Sequence, residues 1–386
     1  MNETAFVLIG VGGAGGKIVN AIAETNASGM RAVAVDTDFT AVARLGSCQQ
    51  IRIGSTRFGG LGSGGDRNGA AMAFDETRAS DTIFSDAQIA IVVAGISRGT
   101  GAGVLPKILE NAVKRNVRTI VFMVTPFSFE GIELARRAAE VEQAVAGLGD
   151  LRIVCRNENL CPIADDNTLE AAFDKATRTL ADGITLIWKM TALPGYINLD
   201  FATLATIIVN GRGMCNLGIG IGTGPSRVKE ATESLLGTTG LGLDSKLNGA
   251  QAALVGIIGG DDLRLTEVAD VMARVGAALS METPIRMGTV LDPNIGSALH
   301  VVVLLFREWH TIDEADVEAE EGEENAVENT EGRKARRYIA PSRKGAAASR
   351  RKIYNNRFQH SAATWVNGEN LDRPTFLRRK LHIDVS

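Results

Sequence analysis

The sequence predicts an α/β protein: a parallel sheet covered on both faces, a long central helix, a smaller mixed-sheet C-terminal domain, and a charged tail. Three observations predict it. Short β-branched runs alternate with helically periodic stretches, one helical stretch is unusually long, and the charge pattern changes abruptly after Trp309. The runs Phe6–Ile9, Ala32–Val35, Ile89–Val93, Thr119–Val124 and Arg152–Cys155 read as strands. Strands that alternate with helices build a parallel sheet, and near-continuous apolar strands mean that both faces are covered. Leu169, Ala172, Phe173, Ala176, Leu180 and Ile184 keep a helical period, so a helix is predicted from Thr168 to about Lys189, with Pro194-Gly195 closing it. Beyond it, the apolar runs Leu217–Ile221, Ala252–Ile258 and His300–Phe306 with helices between them predict the second domain.

The 386 residues are 45% hydrophobic and 22% charged, with a net charge of -4, enough chain for two domains and an appendage. Cys48, Cys155, Cys161 and Cys215 show neither C-x-x-C pairing nor zinc-ligand spacing, which fits reduced thiols in a cytoplasm. The four histidines have no metal spacing either, and no metal site is predicted from protein ligands alone. Met1–Gly10 lacks the charge and apolar pattern of a secretion signal, and the apolar run Val301–Phe306 is far short of a membrane span. Aromatic residues make up only 5%, which disfavours nucleic acid as a partner read by stacking. An acidic block from Asp313 to Glu331 precedes a basic block from Arg333 to Arg357 that contains no acid. Neither can bury enough apolar surface to offset ordering entropy, so 312–369 reads as a disordered linker. The predicted organisation is therefore 1–190 with the central helix, 191–311, the linker 312–369 and a terminal segment 370–386.

Three glycine-rich loops follow strands. The first, Gly10–Gly16, lets backbone N–H groups approach a phosphate at a helix N-terminus. Because it satisfies G-x-G-x-x-G and Asp36 follows about 20 residues later, it also fits a dinucleotide fingerprint. A tight turn without a ligand fits as well. Gly59–Gly65 and Gly95–Gly103 supply the second and third loops. In a parallel sheet all three lie at the carboxyl edge, where ligands bind. Three phosphate-compatible loops suit a polyphosphate nucleotide better than a pyrophosphate bridge, and nothing downstream offers a hydride-transfer site. No G-x-x-x-x-G-K-[ST] is present, so the loops are not those of a P-loop NTPase.

The ordered motifs GVGGAGGKIVN (Gly10–Asn20), AVDTD (Ala34–Asp38), GGLGSGGD (Gly59–Asp66), GTGAG (Gly99–Gly103), VTPFSFEG (Val124–Gly131), PGYINLDFA (Pro194–Ala202) and GGDDLRLTEV (Gly259–Val268) resemble the tubulin/FtsZ superfamily, and within it bacterial FtsZ. The resemblance runs from about Phe6 to Phe306 and reappears in NLDRPTFLRRK (Asn370–Lys380), making the chain similar to a divergent member. It implies the tubulin/FtsZ-like fold, GTP or GDP as ligand with Mg²⁺ as its companion cation, and head-to-tail assembly of the chain with itself into cytoplasmic filaments. Nucleotide-binding positions carried over are Gly12, Gly13, Gly15, Gly16, Lys17, Gly62, Ser63, Gly64, Arg98, Gly99, Thr100, Gly101, Glu130 and Asn157. Asp200 and Asn198 match the loop with which one subunit positions the attacking water for the next. In the terminal peptide, Asp372, Pro374, Phe376, Leu377 and Arg378 match the segment that docks on a membrane adaptor.

The departures fall where the chemistry is done. Thr203 stands where the resemblance places a second carboxylate, and a hydroxyl is no base near neutral pH. Hydrolysis slowed by about 10²-fold is then expected from the usual size of general-base catalysis. Ser97-Arg98 replaces two glycines, so that Arg98 pairs with phosphate, fills its space, or turns to solvent. Arg178 replaces the acid that accepts guanine N–H groups, Thr177 an asparagine, Lys17 another asparagine, and Leu134 an arginine for which Arg136 or Arg137 could substitute. The expectation is a filament-forming protein of cell division or envelope organisation, at the division site or membrane-associated through an adaptor, with weakened or absent hydrolysis and altered base specificity. An active GTPase driving dynamic filaments and a non-polymerising regulator of division proteins are the alternatives.

Overall fold

The computed structural model describes residues 6–25, 30–85, 87–161, 168–192, 197, 201–211, 213–237, 249–309, 365–366 and 369–370. The chain divides into two compact units, Met1–Glu321 and Gly322–Ser386.

In the first unit, β1 (Phe6–Val11), β2 (Met30–Asp36), β3 (Gln49–Arg52), β4 (Ile89–Gly95), β5 (Arg118–Thr125), β6 (Leu151–Arg156) and β7 (Gly213–Gly222) form the parallel part of one ten-stranded sheet. Its strand order is β3-β2-β1-β4-β5-β6-β7-β10-β8-β9, completed by β8 (Ala252–Gly259), β9 (Ile285–Leu291) and β10 (Leu299–Phe306). Strand β10 runs antiparallel between β7 and β8, and β9 pairs parallel with β8, giving the mixed C-terminal sheet. The sequence runs located most strands; β3 and β9 escaped them. Both are edge strands, and Gln49-Gln50-Ile51-Arg52 carries no apolar run to find.

Alternation across the pleat explains the buried strands. On β1, Phe6 and Leu8 face the cluster that holds Ile18, Val19 and Ile22 of α1 (Gly12–Glu24). Val7, Ile9 and Val11 face the opposite cluster, with Val104, Leu105 and Ile108 of α6 (Thr100–Lys114). Both faces being covered, the strand reads as a continuous apolar run. Removing such a side chain, as in Leu8→Ala, costs about 2–5 kcal/mol. The remaining helices of this half are α2 (Phe39–Ala43), α3 (Ser55–Phe58), α4 (Arg67–Glu76), α5 (Ala79–Ile83), α7 (Ile132–Ala144) and α8 (Asn157–Leu160).

The predicted central helix is α9, Leu169–Ala192, 24 residues and therefore about 36 Å long. Its buried face (Leu180, Ile184, Ile187, Trp188) shares one core with β1, β4, β5 and β6 and with β8 and β10. After it come α10 (Phe201–Asn210), α11 (Arg227–Leu236) and α12 (Leu265–Ala278). Arg227, at the start of α11, donates to both carboxylate oxygens of Asp262 and of Glu267 and to the Ser297 carbonyl, tying three connections together. Below α9, Lys189 Nζ lies 2.6 Å from Asp292 Oδ2. Burial would raise the Asp292 carboxyl, but Lys189 and Asn294 outweigh it and hold it below its ordinary value. His300 on β10 is pushed down by its own burial and by Lys189, against the opposing charge of Asp292. In the second unit, β11 (Trp365–Val366) pairs antiparallel with β12 (Glu369–Asn370), at the end of the stretch expected to be a linker. The rest of 312–386 lies outside the described residues.

Candidate functional site

A cavity of about 590 Å³ opens at the carboxyl edge of β1, β2, β4 and β5. The first glycine loop contributes Gly12 and Gly13, the second Gly62, Ser63 and Gly64, and the third Arg98, Gly99, Thr100 and Gly101. Helices α1 and α6 both begin here, and neither has a side-chain cap on its first N–H groups. Elsewhere the chain does cap: Asp38 takes the N–H groups of Thr40 and Ala41 for α2, and Asp66 that of Gly69 for α4. Two uncapped helix starts facing one cavity offer orphan N–H donors and partial positive charge to an anion. They come close because both are glycine-built. A Cβ on Gly12, whose φ is +71°, would lie 3.1 Å from the Gly101 nitrogen, and one on Gly101 would lie 2.1 Å from the Gly95 carbonyl oxygen.

Buried hydroxyls join the loops. Thr37 Oγ1 and Thr100 Oγ1 are 2.7 Å apart, and Ser63 Oγ lies 3.4 Å from Thr100 Oγ1. Asp36, at the end of β2, also lines the cavity, and its Oδ1 accepts the N–H of Thr37 at 2.7 Å and of Asp38 at 3.3 Å. Burial raises the Asp36 carboxyl above its ordinary value, and those backbone hydrogen bonds oppose the rise.

On the other side, Glu130 is 13% exposed at its side chain and fully engaged. Its Oε1 accepts the Phe127 N–H at 3.0 Å, and its Oε2 receives Arg98 Nη2 at 2.9 Å. Of the three fates open to Arg98, the structure shows the solvent-facing one, with the side chain 73% exposed and its guanidinium paired with Glu130. Arg137 lines the cavity near Leu134, whereas Arg136 is held by Glu133 and Glu140 and does not. Hydrogen bonds from Arg136 and then Arg137 lower the Glu133 carboxyl to about 2. Asn157, the first residue of α8, and Phe173, on the first turns of α9, close the far side. Phe173 meets Phe127 edge to face at 5.2 Å, and Phe127 stacks on Phe129 at 5.0 Å.

Lys17, Gly15 and Gly16 do not line this cavity. A Cβ on Gly15 would sit 2.1 Å from the Val93 carbonyl oxygen and one on Gly16 2.8 Å from Leu45, so these glycines seat α1 on the sheet. Lys17, one turn further along α1, lines a separate cavity of about 220 Å³ with Asn20, Glu24, Asp174, Thr177 and Arg178. The two cavities follow the same pair of helices, since Gly12, Gly13 and Phe173 belong to the first and Lys17, Thr177 and Arg178 to the second. Asn20 is spoken for: its amide donates to Glu24 at 2.6 Å and its carbonyl accepts the Ser47 N–H at 3.0 Å.

Asn198 and Asp200 lie outside the described residues, as do Asp372, Pro374, Phe376, Leu377 and Arg378. Their flanks are informative for the first pair. Ile197 bridges to Thr289, and Phe201 opens α10, whose first turn carries the half-buried Thr203. The far end of α9 lies 19 residues past Phe173, about 28 Å along the axis. Sequence reasoning quoted Asp36 and Thr37 within the AVDTD motif but named neither as a site residue; the role of Thr37 depends on a partner 63 residues away. The Val35-Asp36-Thr37-Asp38 cluster at a strand end was the signal available. Among the described residues no group of three His, Cys, Asp or Glu could hold a metal ion, and no helix is long and apolar enough to cross a membrane.

Comparison with known proteins matches this arrangement. The family model described as "Tubulin/FtsZ family, GTPase domain" matches residues 5–165, and "FtsZ family, C-terminal domain" matches residues 213–306. The chain is 32% identical to the cell division protein FtsZ of Pseudomonas aeruginosa over 98% of its own length and 90% of the relative's. It is 33% identical to that of Pseudomonas putida over 77% of this chain and 75% of the relative. An empty FtsZ dimer of M. jannaschii superposes with a TM-score of 0.72 at 28% identity, covering 78% of this chain and 88% of that one. The chain belongs to the FtsZ family of the tubulin/FtsZ superfamily.

Proposed function

We propose that the protein assembles head to tail into filaments, binding a guanine-type nucleotide in the glycine-loop cavity and hydrolysing it slowly. The length of α9 carries this reading. Phe173 lines the cavity near the start of α9, and the far end of α9 lies about 28 Å from it along the axis; the loop bearing Asn198 and Asp200 follows that far end in sequence, between Ile197 and Phe201. Such a loop serves the cavity of a neighbouring copy, and a heterologous contact of this kind propagates into a filament. Apolar side chains next to the cavity lining suit a partner: Leu61, adjacent to Gly62, and Ile132, two residues past Glu130, are each 89% exposed, and Phe129, adjacent to Glu130, is 58% exposed. Domain limits of 1–190 and 191–311 go with this reading, the first carrying the cavity and the second the water-positioning loop.

Slow turnover follows from Thr203 in place of a carboxylate, with Asp200 and Asn198 left to position water. Where Mg²⁺ accompanies the nucleotide, it polarises the phosphate chain; the chain's own parts orient that phosphate through helix N-termini and buried hydroxyls. Base reading is relaxed rather than inverted. Lys17 and Arg178 bring donors to the second cavity, and Asp174 alone remains there as an acid not tied to Asn20. The relatives are cell division proteins, which supports a role in cell division; on this reading the protein works in the cytoplasm, with 370–386 docking on a membrane adaptor. Phosphate release and pelleting, measured together beside the P. aeruginosa relative, test the reading. Filaments with turnover about 10²-fold slower are expected. Equal turnover contradicts the weakened hydrolysis, and a chain that never pellets contradicts the filament.

A further inference from the structure

We propose that Asp36 makes nucleotide binding in the glycine-loop cavity depend on a divalent cation, which its carboxylate holds against the phosphate chain. The inference rests on reading that cavity as the phosphate site. Asp36 is 6% exposed, so little solvent screens it, and it lines the same cavity as Gly12, Thr100 and Gly101. Its orientation is fixed by backbone, because Oδ1 is held by the N–H groups of Thr37 and Asp38. The nearby charge acting on it is a second acid, Asp38, and no lysine or arginine of the described residues forms an ion pair with it.

A buried carboxylate beside a phosphate chain is a repulsive arrangement, and the repulsion is strong where water is excluded. The backbone donors of the two helix starts relieve the phosphate; the N–H groups of Thr37 and Asp38 and the Thr100 hydroxyl relieve Asp36 only in part, and among the described residues no cationic side chain pairs with it. A cation between the two relieves both. The groups around it suit a small hard cation: one carboxylate and the hydroxyls of Thr37, Thr100 and Ser63, all buried and all oxygen. Mg²⁺ favours one or two carboxylates together with phosphate oxygens and water, whereas zinc and copper sites draw on nitrogen and sulfur. Asp36 in this role is a positioning residue for cation and phosphate together.

Equilibrium binding of GDP to the full chain, in millimolar Mg²⁺ and in excess EDTA, tests the proposal with wild type and Asp36→Asn. Asparagine keeps the Oδ1 acceptor and the volume and removes the charge. Starting from similar affinities in Mg²⁺, wild type is expected to lose about 30-fold without it, against about 3-fold for the variant, so that in EDTA the variant binds about tenfold more tightly. An equal Mg²⁺ dependence in the two proteins, or weaker binding by the variant in EDTA, overturns the role of Asp36 and leaves the phosphate site standing. Absence of GDP binding by wild type in Mg²⁺ overturns the phosphate reading and the proposal with it. Should the variant not fold, Mn²⁺ titration of wild type decides: the protein–GDP complex is expected to bind Mn²⁺ at least about tenfold more tightly than free GDP does, and equal affinity overturns the proposal.

Discussion

The two cavities along α1 and α9 are made from different materials. The first is built from backbone, with glycine turns, two uncapped helix starts and short hydroxyls. The second is built from long side chains, Lys17, Glu24, Asp174 and Arg178. Backbone donors exist whatever the sequence, provided the residue is small enough to let the ligand approach, so the first cavity keeps most of its glycines and among those positions departs only at Ser97-Arg98. Side-chain recognition has no such protection, and there the chain has exchanged acceptors for donors. In the proposed reading these are the phosphate end and the base end of the nucleotide site, and the two can diverge independently.

Breaking the backbone end has the largest expected effect. Gly101→Val places a branched side chain where even a Cβ would meet the Gly95 carbonyl oxygen at 2.1 Å. It is expected to abolish GDP binding and to cost about 3 kcal/mol or more of stability, read by calorimetry and denaturant titration. Changing the side-chain end leaves folding intact and alters selectivity. Arg178→Asp restores an acceptor toward the base edge and is expected to raise the preference for GDP over XDP by about tenfold or more, since a site built to accept base N–H groups rejects analogues lacking them.

A site far from both ends sharpens the comparison as a control. The folded state depresses the His300 pKa, so the unfolded chain takes up the proton first as pH falls. Stability from this group is complete above its unfolded pKa, near 6.5, and is lost as pH drops through that value toward the lower folded one. Lys189 and Asp292 act on it from the packed elements, and Asp292, lowered when folded, adds its own loss only at more acidic pH. His300→Gln is expected to flatten the fall of Tm between about pH 7 and about pH 5.5 while leaving the nucleotide preference unchanged. Smallest is Glu130→Gln, which breaks the pair with Arg98, an arginine 73% exposed at its side chain. A Tm change close to zero is expected for so solvated a pair, and any loss of nucleotide affinity then reports on the ligand contact alone.

The fold was legible because its signals are local. Doubly covered strands such as β1 and β4 read as apolar runs, and α9 announces itself through helical spacing over about four turns, Leu169 to Ile184. Strand β3 is polar and lies at the edge, so it carried no such signal. Within the site, the glycines pointed to the three loops that line the cavity, while the roles of individual residues needed tertiary partners. Gly15 faces Val93 rather than a ligand, and Lys17 faces α9 rather than phosphate, because the packing of α1 between sheet and α9 decides which side each position turns to. Arg98 finds Glu130, 32 residues away, a pairing that spacing in sequence does not encode.

The claim on which the rest depends is that one copy's cavity rim meets the far end of the next. Leu61→Glu puts a charge on the exposed rim beside the second glycine loop while leaving the α9 end untouched. Pelleting and negative-stain microscopy of this variant, alone and mixed at low proportion into wild type, test the claim most directly. The account predicts filaments for wild type, single particles for the variant, and shortened wild-type filaments in the mixture, because the variant joins through its intact end and offers a dead one. Filaments formed by Leu61→Glu as readily as by wild type would contradict it.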